Sequence, residues 1–568
     1  MLKQIKNKKI HLRVFYCVAI ICFYSNTCIA QKTADRIINY SIIPKLPPPP
    51  KPEPFTVSTI PLPDSVLEAV LVNYLPDGMH LIMEIELAGK KKHELAVMKD
   101  DGSGFKCLTC KLKEEIGGEM PVPLPDGRRV YTPTGILECS PSILDCKEAK
   151  ILPLVYPEIP GSRIIWRIAS NMSPDGVHVA GTLITTKGAL VLVSELTRVS
   201  DGRGEHYELK NSKVIAGDKN ETDTSGFRPV VYGAGEVKSF LEMGRYLTCS
   251  SVFESNNFDL SKIDLATGSI TRLTKHFSYD EGTYPSPDGN WIIFQTHRQT
   301  TRMDAFGLIP RPLIAGLSQT AGVAYQRNAE WEGYPEAKRF YGLTMVDKYG
   351  DRSRLPEDSY TGQNITIAKD DFILYNHLGN FTWDPTSTHG VFWEQKDPKQ
   401  TKSGEQKGRL RMIRFTSRKP TKPLSPFTPD MKWATDLKEI KWSDTKTPEQ
   451  GTLKGFVSGY AEISTLKTDS VSANESRRVI KYFNFSDDGE YVLNGTESAT
   501  LGGNFGTPVS WDADIKVSGK NTGFLKAQNV KFYINKMSSG IIQAQLSKHK
   551  VDVNLVKGLP TGVPGELR

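Results

Sequence analysis

Short apolar runs that follow tight polar turns recur along the chain and predict β-strands. The clearest example is YPSPDGNWIIFQTHR, residues 284–298, where a Ser-Pro-Asp-Gly turn separates two strand-like segments. Proline presets φ at the second turn position, and Asp and Gly tolerate the conformations that follow. Trp-Ile-Ile-Phe after the turn consists of strand-forming residues. Related turns, intact or degenerate, begin at Leu75, Leu124, Ser173, Glu242, Ser286 and Asp384.

Several of these units continue into a third and a fourth strand, as residues 261–274 do around an Ala-Thr-Gly turn. Four short strands in a repeat of about 40–50 residues are typical of a β-propeller blade. The spacing nearly doubles between Ser286 and Asp384, so residues 299–338 are predicted to be an insertion in the fifth blade. The pattern predicts an all-β protein with a six-bladed propeller over residues 55–441. Seven blades are the alternative.

The repeated turns resemble those of the TolB-like family, whose blades carry Ser-Pro-Asp-Gly between their first two strands. The resemblance covers about residues 55–426 and rests on four near-intact copies of the turn. It implies a β-propeller fold. It implies little about activity, because one architecture hosts many functions.

The pattern changes near Trp442, after which segments of alternating polarity predict strands of a different kind. Residues 442–568 are therefore predicted to form a separate small β-sandwich-like domain. The Ser-Asp-Asp-Gly turn at Ser486 lacks the proline of the repeat. If that turn nevertheless starts a blade, the propeller has seven.

The N-terminus predicts export to the periplasm or secretion. Basic residues precede a short apolar segment, and Cys28-Ile29-Ala30 places small residues before a cleavage point, as in a secretory signal peptide over residues 1–30. Residues 31–54 contain a proline-rich linker that favours an extended polyproline conformation. No later stretch is long and apolar enough to predict a transmembrane segment in the mature chain.

Composition indicates a water-soluble globular protein and gives no sign of nucleic-acid binding. The chain has 72 Lys and Arg against 64 Asp and Glu, a formal charge of +8 over 568 residues. This mild excess does not gather in one arm or helix, and no nucleic-acid motif is present. The expected partner is a protein or a carbohydrate.

Five cysteines follow the predicted signal peptide. Cys139 and Cys146 are predicted to bridge a short loop. The Cys-Leu-Thr-Cys spacing of Cys107 and Cys110 fits a redox pair, half of a zinc site or a plain disulfide. We favour structural disulfides for both pairs, with Cys249 as a buried free thiol.

Candidate ligand-binding residues gather around the fifth blade. There the loop that follows the second strand lies on the same face of the propeller as the loop that enters the first strand. The insertion adds side chains over this face, as a lid or binding loop would. Arginine can clamp a carboxylate, and tryptophan can stack on a sugar. Arg298 and Asp280 have a structural alternative, because such pairs commonly link blades. The predicted residues are His276, Asp280, Glu281, His297, Arg298, Arg302, Asp304 and Trp331.

Two main functions are compatible with this pattern. The sequence lacks the nucleophile elbow, zincin, P-loop and dinucleotide motifs, which favours a non-catalytic binding or scaffold propeller that recognises a protein or glycan. The alternative is an enzyme acting on an acidic saccharide, because oligogalacturonate lyases also use TolB-like propellers. Such an enzyme could need a divalent metal, but the spacing of the imidazoles gives no metal signature. A redox role of Cys107 and Cys110 is a third hypothesis. The imidazoles in question are His276, His297, His377 and His389.

Overall fold

In the part of the chain that can be described, the protein is built mainly of antiparallel β-sheet, with two α-helices and four short 3-10 helices. The computed structural model describes residues 46–90, 92–114, 121–216, 225–228, 235–298, 302–314, 317–329, 341–355, 359–365, 372–373, 381–396, 401–402, 404–442, 447–467, 476–501, 508–533 and 536–557. Within these residues no helix is long and apolar enough to cross a membrane.

The N-terminal strand β1 (Phe55–Ile60) is followed by three four-stranded units in chain order. In each unit neighbouring strands pair antiparallel. A two-residue parallel contact joins the last strands of the second and third units into one larger sheet. The strands are β2 (Val66–Tyr74), β3 (His80–Leu87), β4 (Glu94–Lys99) and β5 (Lys106–Cys107); β6 (Val122–Pro123), β7 (Arg129–Thr132), β8 (Gly135–Ser140) and β9 (Glu148–Val155); and β10 (Ile164–Met172), β11 (His178–Thr185), β12 (Gly188–Asp201) and β13 (Gly204–Ala216).

Three further units follow, and the last is completed by the start of the chain. Strand β1 pairs with β25 (Gly408–Phe415) as the outermost strand of the sixth unit, and β22 (Phe372–Ile373) and β23 (Phe381–Trp383) both pair with β24 (His389–Lys396) on its inner side. The strands are β14 (Glu236–Leu241), β15 (Tyr246–Val252), β16 (Phe258–Asp264) and β17 (Ile270–Arg272); β18 (Asp280–Pro285), β19 (Trp291–Thr296), β20 (Gly342–Asp347) and β21 (Gln363–Asn364); and β22 (Phe372–Ile373), β23 (Phe381–Trp383), β24 (His389–Lys396) and β25 (Gly408–Phe415).

The units are arranged as a β-propeller. The first strand β2 contacts the strands of the last unit, and inner strands of successive units contact one another where β10 meets β14, β14 meets β18 and β18 meets β23. The apolar clusters lie between adjacent sheets, for example where Val391 and Trp393 of the sixth unit pack with Val70 and Val72 of the first. The chain therefore closes on itself around an axis.

The repeated turns have the geometry that the sequence predicted. Gly78, Gly127, Gly176 and Gly289 adopt φ between 65° and 72°, a conformation that strongly favours glycine. The aspartate of each turn accepts hydrogen bonds from backbone N–H groups that follow it, as Asp77 does from Met79 and His80. Burial raises the pKa of Asp77, but these hydrogen bonds outweigh it and the net pKa lies below its ordinary value.

An eight-stranded sheet follows the propeller, and its strands pair in chain order in a single sheet rather than in the two facing sheets of a sandwich. Its second layer comes from the insertion of the fifth unit, which contains helices α1 (Asp304–Gly307) and α2 (Leu317–Ala329). Phe306 and Tyr325 of these helices pack against Trp511 and Phe532. The strands are β27 (Gln450–Lys454), β28 (Ser458–Lys467), β29 (Ser476–Ser486), β30 (Tyr491–Leu501), β31 (Val509–Gly519), β32 (Gly523–Phe532), β33 (Ser539–Leu546) and β34 (His549–Asn554).

The segment from 416 to 434, here called the strap, crosses the turn-bearing face of the propeller. Backbone N–H groups of Thr421, Leu424 and Phe427 donate to carbonyl oxygens of the sixth, fifth and fourth units at 2.8–3.0 Å. Proline recurs at every third position from 420 to 429, a spacing typical of polyproline II, which has three residues per turn. Beyond the strap, β26 (Thr435–Asp436) pairs with β13 of the third unit.

Candidate functional site

A channel of about 500 Å³ runs along the propeller axis, and the innermost strands of all six units line it. Each inner strand has one turn of the repeat at its end, so side chains at equivalent positions of the units meet around the axis. Tyr74, Phe240, Tyr284 and Trp383 of the inner strands also line it, and they belong to the apolar clusters between the units. A concave, mostly apolar cavity with a few polar groups is the usual form of a binding site.

The polar groups of the channel wall are mainly neutral amides and hydroxyls. Thr382 donates to Asn73 Oδ1 at 2.9 Å, and Asn171 donates to the backbone carbonyl of Lys238 at 3.1 Å. The hydroxyls of Ser239 and Thr283 are 2.7 Å apart. These side chains can exchange hydrogen bonds with an uncharged ligand, and they offer no strong attraction to an anion.

Lys238 supplies the cation among the described lining residues, and two carboxylates neutralise it. Its ammonium lies 3.1 Å from Glu236 Oε1 and also binds Glu281, while the Tyr279 hydroxyl donates to Glu281. The Lys238 side chain is 3% exposed. Burial lowers the pKa of Lys238, but the two carboxylates outweigh burial and raise it. The ammonium is therefore charged and already coordinated by acids.

Prolines surround the mouth of the channel on the turn-bearing face. Five come from the second or equivalent position of the repeated turns, and Met243 lies at the corresponding place in the fourth unit. The strap adds two more prolines. The signal for this ring was present in the sequence, since five of the six turns carry proline at the same position, but the pattern alone did not show that these prolines converge. The prolines are Pro76, Pro125, Pro174, Pro287, Pro385, Pro423 and Pro426.

Three of the predicted ligand-binding residues take part in buried ion pairs. Arg298 donates to both oxygens of Asp280 and of Asp351, a carboxylate that the sequence did not suggest. Burial raises the pKa of Asp280 although Arg298 opposes the rise. Glu281 binds Lys238 and thus lies behind the channel wall. Arg298 and Asp280 therefore form a structural ion pair, but it lies within the fifth unit and does not link two units as the structural alternative supposed.

The two predicted histidines of the fifth blade are buried among aromatic rings. The His297 ring lies 4.7 Å from the ring of Tyr279 and 4.5 Å from that of Tyr341, and the residue is fully buried. His276 Nδ1 accepts a hydrogen bond from Ser278 N–H at 3.1 Å, and its ring lies 4.1 Å from that of Phe277. Both imidazoles lie in protein interior rather than on the channel wall.

The predicted residues of the insertion also lie in the interior. Arg302 is 1% exposed and donates to the Ala329 carbonyl at 3.0 Å, while Asp304 is 2% exposed at the start of α1. Trp331 lies outside the described residues. The insertion therefore differs from the lid that its length suggested, because its described apolar residues share one core with the eight-stranded sheet.

Among the described residues, none of the histidines considered for the enzyme hypothesis belongs to a group of three potential metal ligands. His389 interacts with Asp384 and Asp100 near the turns of the sixth unit, and His377 lies outside the described residues. Two groups of three potential metal ligands occur in the described part of the chain. One contains the disulfide-bonded Cys107 and Cys110 with Glu94, and the other, on the hairpin between β12 and β13, comprises Asp201, His206 and Glu208.

Comparison with known proteins finds solved structures of limited similarity and no matching family. No protein-family model matches it, and no curated protein matches it in sequence. Similar solved structures include a putative TolB from Agrobacterium tumefaciens, with 13% identity, 56% of this chain and 95% of that chain covered and a TM-score of 0.27. TolB from Acinetobacter baumannii is 12% identical, with 58% of this chain and 61% of that chain covered and a TM-score of 0.28. An oligogalacturonate lyase in complex with manganese is 12% identical, with 66% of this chain and 99% of that chain covered and a TM-score of 0.34.

Proposed function

We propose that the protein is an exported, non-catalytic binding protein whose six four-stranded units are the blades of a closed propeller. The ligand enters the channel through the proline-lined mouth and is a glycan or a protein segment without net negative charge. The observation that carries this proposal is the composition of the channel lining, in which apolar residues occur together with neutral amides and hydroxyls. Export is supported by the signal-like residues 1–30 and by the two disulfides.

The same observation weighs against the acidic-saccharide enzyme. Binding a uronate requires a cation that can pair with its carboxylate, and Lys238 is already held by Glu236 and Glu281. Arg298 is likewise engaged by Asp280 and Asp351. Removing either cation from its acids would leave buried carboxylates without compensation, which is costly.

Thermal stabilisation of residues 31–568 tests the proposal. The panel contains neutral oligosaccharides, acidic oligosaccharides and neutral or cationic peptides, each with and without divalent metal and EDTA. A ligand at a hundred times its Kd stabilises by about 2.7 kcal/mol. We expect stabilisation by a neutral oligosaccharide or a peptide that EDTA does not change. Stabilisation confined to acidic oligosaccharides with divalent metal, and lost with EDTA, would contradict the proposal and favour the enzyme.

A further inference from the structure

The Cys107–Cys110 disulfide lies at the outer edge of the first sheet and takes no part in the channel. Cys107 ends β5, the outermost strand of its unit, and Cys110 lies in the turn that follows. Their Cα atoms are 5.8 Å apart, and both residues are partly exposed. We propose that this pair is a thiol–disulfide exchange site that accepts electrons from a dithiol, a role independent of ligand binding in the channel.

The backbone around the pair favours a thiolate on one of the two sulfurs. The Cys110 N–H donates to Cys107 Sγ at 3.1 Å. A hydrogen bond to the charged form of a group lowers its pKa, so this N–H stabilises the thiolate of Cys107 once the disulfide opens. A thiol of lower pKa leaves faster in exchange, which makes Cys107 the leaving group and Cys110 the sulfur that is attacked.

Two lysines are fixed beside the pair by a buried carboxylate. Lys90 and Lys92 lie 3.6 and 3.3 Å from Glu94 Oε1, and Lys90 also donates to the Cys110 carbonyl at 3.3 Å. The Glu94 side chain is 1% exposed, and its other oxygen accepts from the Thr109 hydroxyl at 2.6 Å. Ligand atoms of Glu94 and the two cysteines all lie within 4.8 Å of one another. A carboxylate this close opposes a thiolate, and the two ammonium groups bound to Glu94 offset its charge, since nearby cations lower thiol pKa values.

The proposed reaction is a balanced two-electron exchange. A thiolate of the incoming dithiol attacks Cys110 Sγ, the Cys107–Cys110 bond breaks, and Cys107 leaves with the electron pair as a thiolate. The second thiol of the reductant then loses its proton and attacks the reductant's first sulfur, which is bonded to Cys110 in the mixed disulfide. Cys110 leaves as a thiolate. The dithiol is oxidised to a disulfide, and its two protons complete the thiols of Cys107 and Cys110.

The second disulfide of the same chain provides an internal reference with the opposite surroundings. Cys139 is 4% exposed. Cys146 Sγ lies 3.4 Å from the carbonyl oxygen of Glu148. This oxygen has no hydrogen to donate, so it would repel a thiolate at Cys146. Asp145 precedes Cys146 in the chain and holds Lys147 at 3.4 Å. A thiolate at this pair gains no comparable stabilisation, so we expect the pair to resist reduction.

Differential alkylation of the full mature chain tests the proposal. The protein is equilibrated with a series of dithiothreitol ratios, trapped with N-ethylmaleimide and analysed by peptide mass spectrometry. We expect Cys107 and Cys110 to be reduced with an equilibrium constant at least tenfold more favourable than that of Cys139 and Cys146, about 30 mV for a two-electron couple. Cys249 reports on folding, because it is buried and burial raises its pKa to about 12, so it stays unlabelled in native protein.

Variants separate the local chemistry from simple exposure. Replacing Lys90 and Lys92 together by glutamine is expected to move the Cys107–Cys110 equilibrium toward that of the reference pair, whereas Lys213→Gln, at the outer strand of the third unit, leaves it unchanged. Equal reduction of both disulfides, or reduction of Cys139–Cys146 first, with Cys249 still protected, would overturn the proposal. An unchanged preference in the double lysine variant would overturn the assigned electrostatic cause.

Discussion

Replacing Arg311 by methionine is expected to lower the free energy of unfolding by about 3–5 kcal/mol, the usual cost of removing one member of a buried ion pair. Arg311 donates to Glu497 Oε1 at 3.0 Å, and each side chain is 2% exposed. Trp511 and Tyr482 also donate to Glu497, at 2.9 and 3.2 Å. The variant leaves this carboxylate buried between the insertion and the eight-stranded sheet without its cation.

Urea unfolding followed by tryptophan fluorescence measures this loss. The double variant Arg311→Met with Glu497→Gln should recover part of it, because the uncompensated charge is gone. Lys520→Met is the matched control, since Lys520 and Glu490 form a pair that is 63% and 48% exposed and should contribute less than about 1 kcal/mol. If Arg311→Met is no more destabilising than this control, the insertion does not belong to the core of the eight-stranded sheet.

Replacing Arg298 by methionine is expected to cost about 3–5 kcal/mol at neutral pH and less in acid. Arg298 compensates Asp280 and Asp351, whose side chains are fully buried. Burial already raises the pKa of Asp280, and loss of the guanidinium raises it further in the folded state only. A carboxyl with a raised folded pKa favours the folded state below its unfolded pKa, near 3.9, and that stability is lost as the pH rises through the folded pKa.

Unfolding measured at pH 4.5 and pH 7.5 therefore separates this variant from an ordinary packing defect. The loss caused by Arg298→Met should be larger at pH 7.5. Lys432→Met, which breaks a pair that is 86% and 61% exposed, should show the same small loss at both pH values. A loss of Arg298→Met that does not depend on pH would show that Asp280 is not charged beside Arg298 in the native protein.

The repeat turns made most of the propeller predictable, because local chemistry determines them. Glycine at positive φ and an aspartate that accepts the following N–H groups form a turn wherever the four residues occur together. The pairing of β1 with β25 could not be read in the same way. That contact joins the two ends of the propeller sequence, and nothing in residues 55–60 specifies a partner more than three hundred positions away.

The insertion shows why the candidate site was harder to predict than the fold. Its length suggested a lid, and its polar residues, such as Arg302 and Asp304, suggested ligand contacts, but its apolar residues determine where it packs. Phe306, Ile309 and Tyr325 are fully buried in the core that the eight-stranded sheet shares with the helices. The apolar run around Phe306 was a visible signal of a core segment. The partner sheet begins more than a hundred residues later, and a sequence pattern does not pair such distant surfaces.

The central claim, ligand binding in the channel, is tested most directly by obstructing it. Asn171→Trp places a large side chain on the channel wall, and Lys526→Trp adds the same side chain to an exposed position of the eight-stranded sheet. Titration calorimetry with the most stabilising neutral oligosaccharide or peptide of the panel should show at least a tenfold weaker Kd for Asn171→Trp, about 1.4 kcal/mol, and an unchanged Kd for Lys526→Trp. Equal binding by a natively folded Asn171→Trp variant and the wild-type protein would contradict the channel as the binding site.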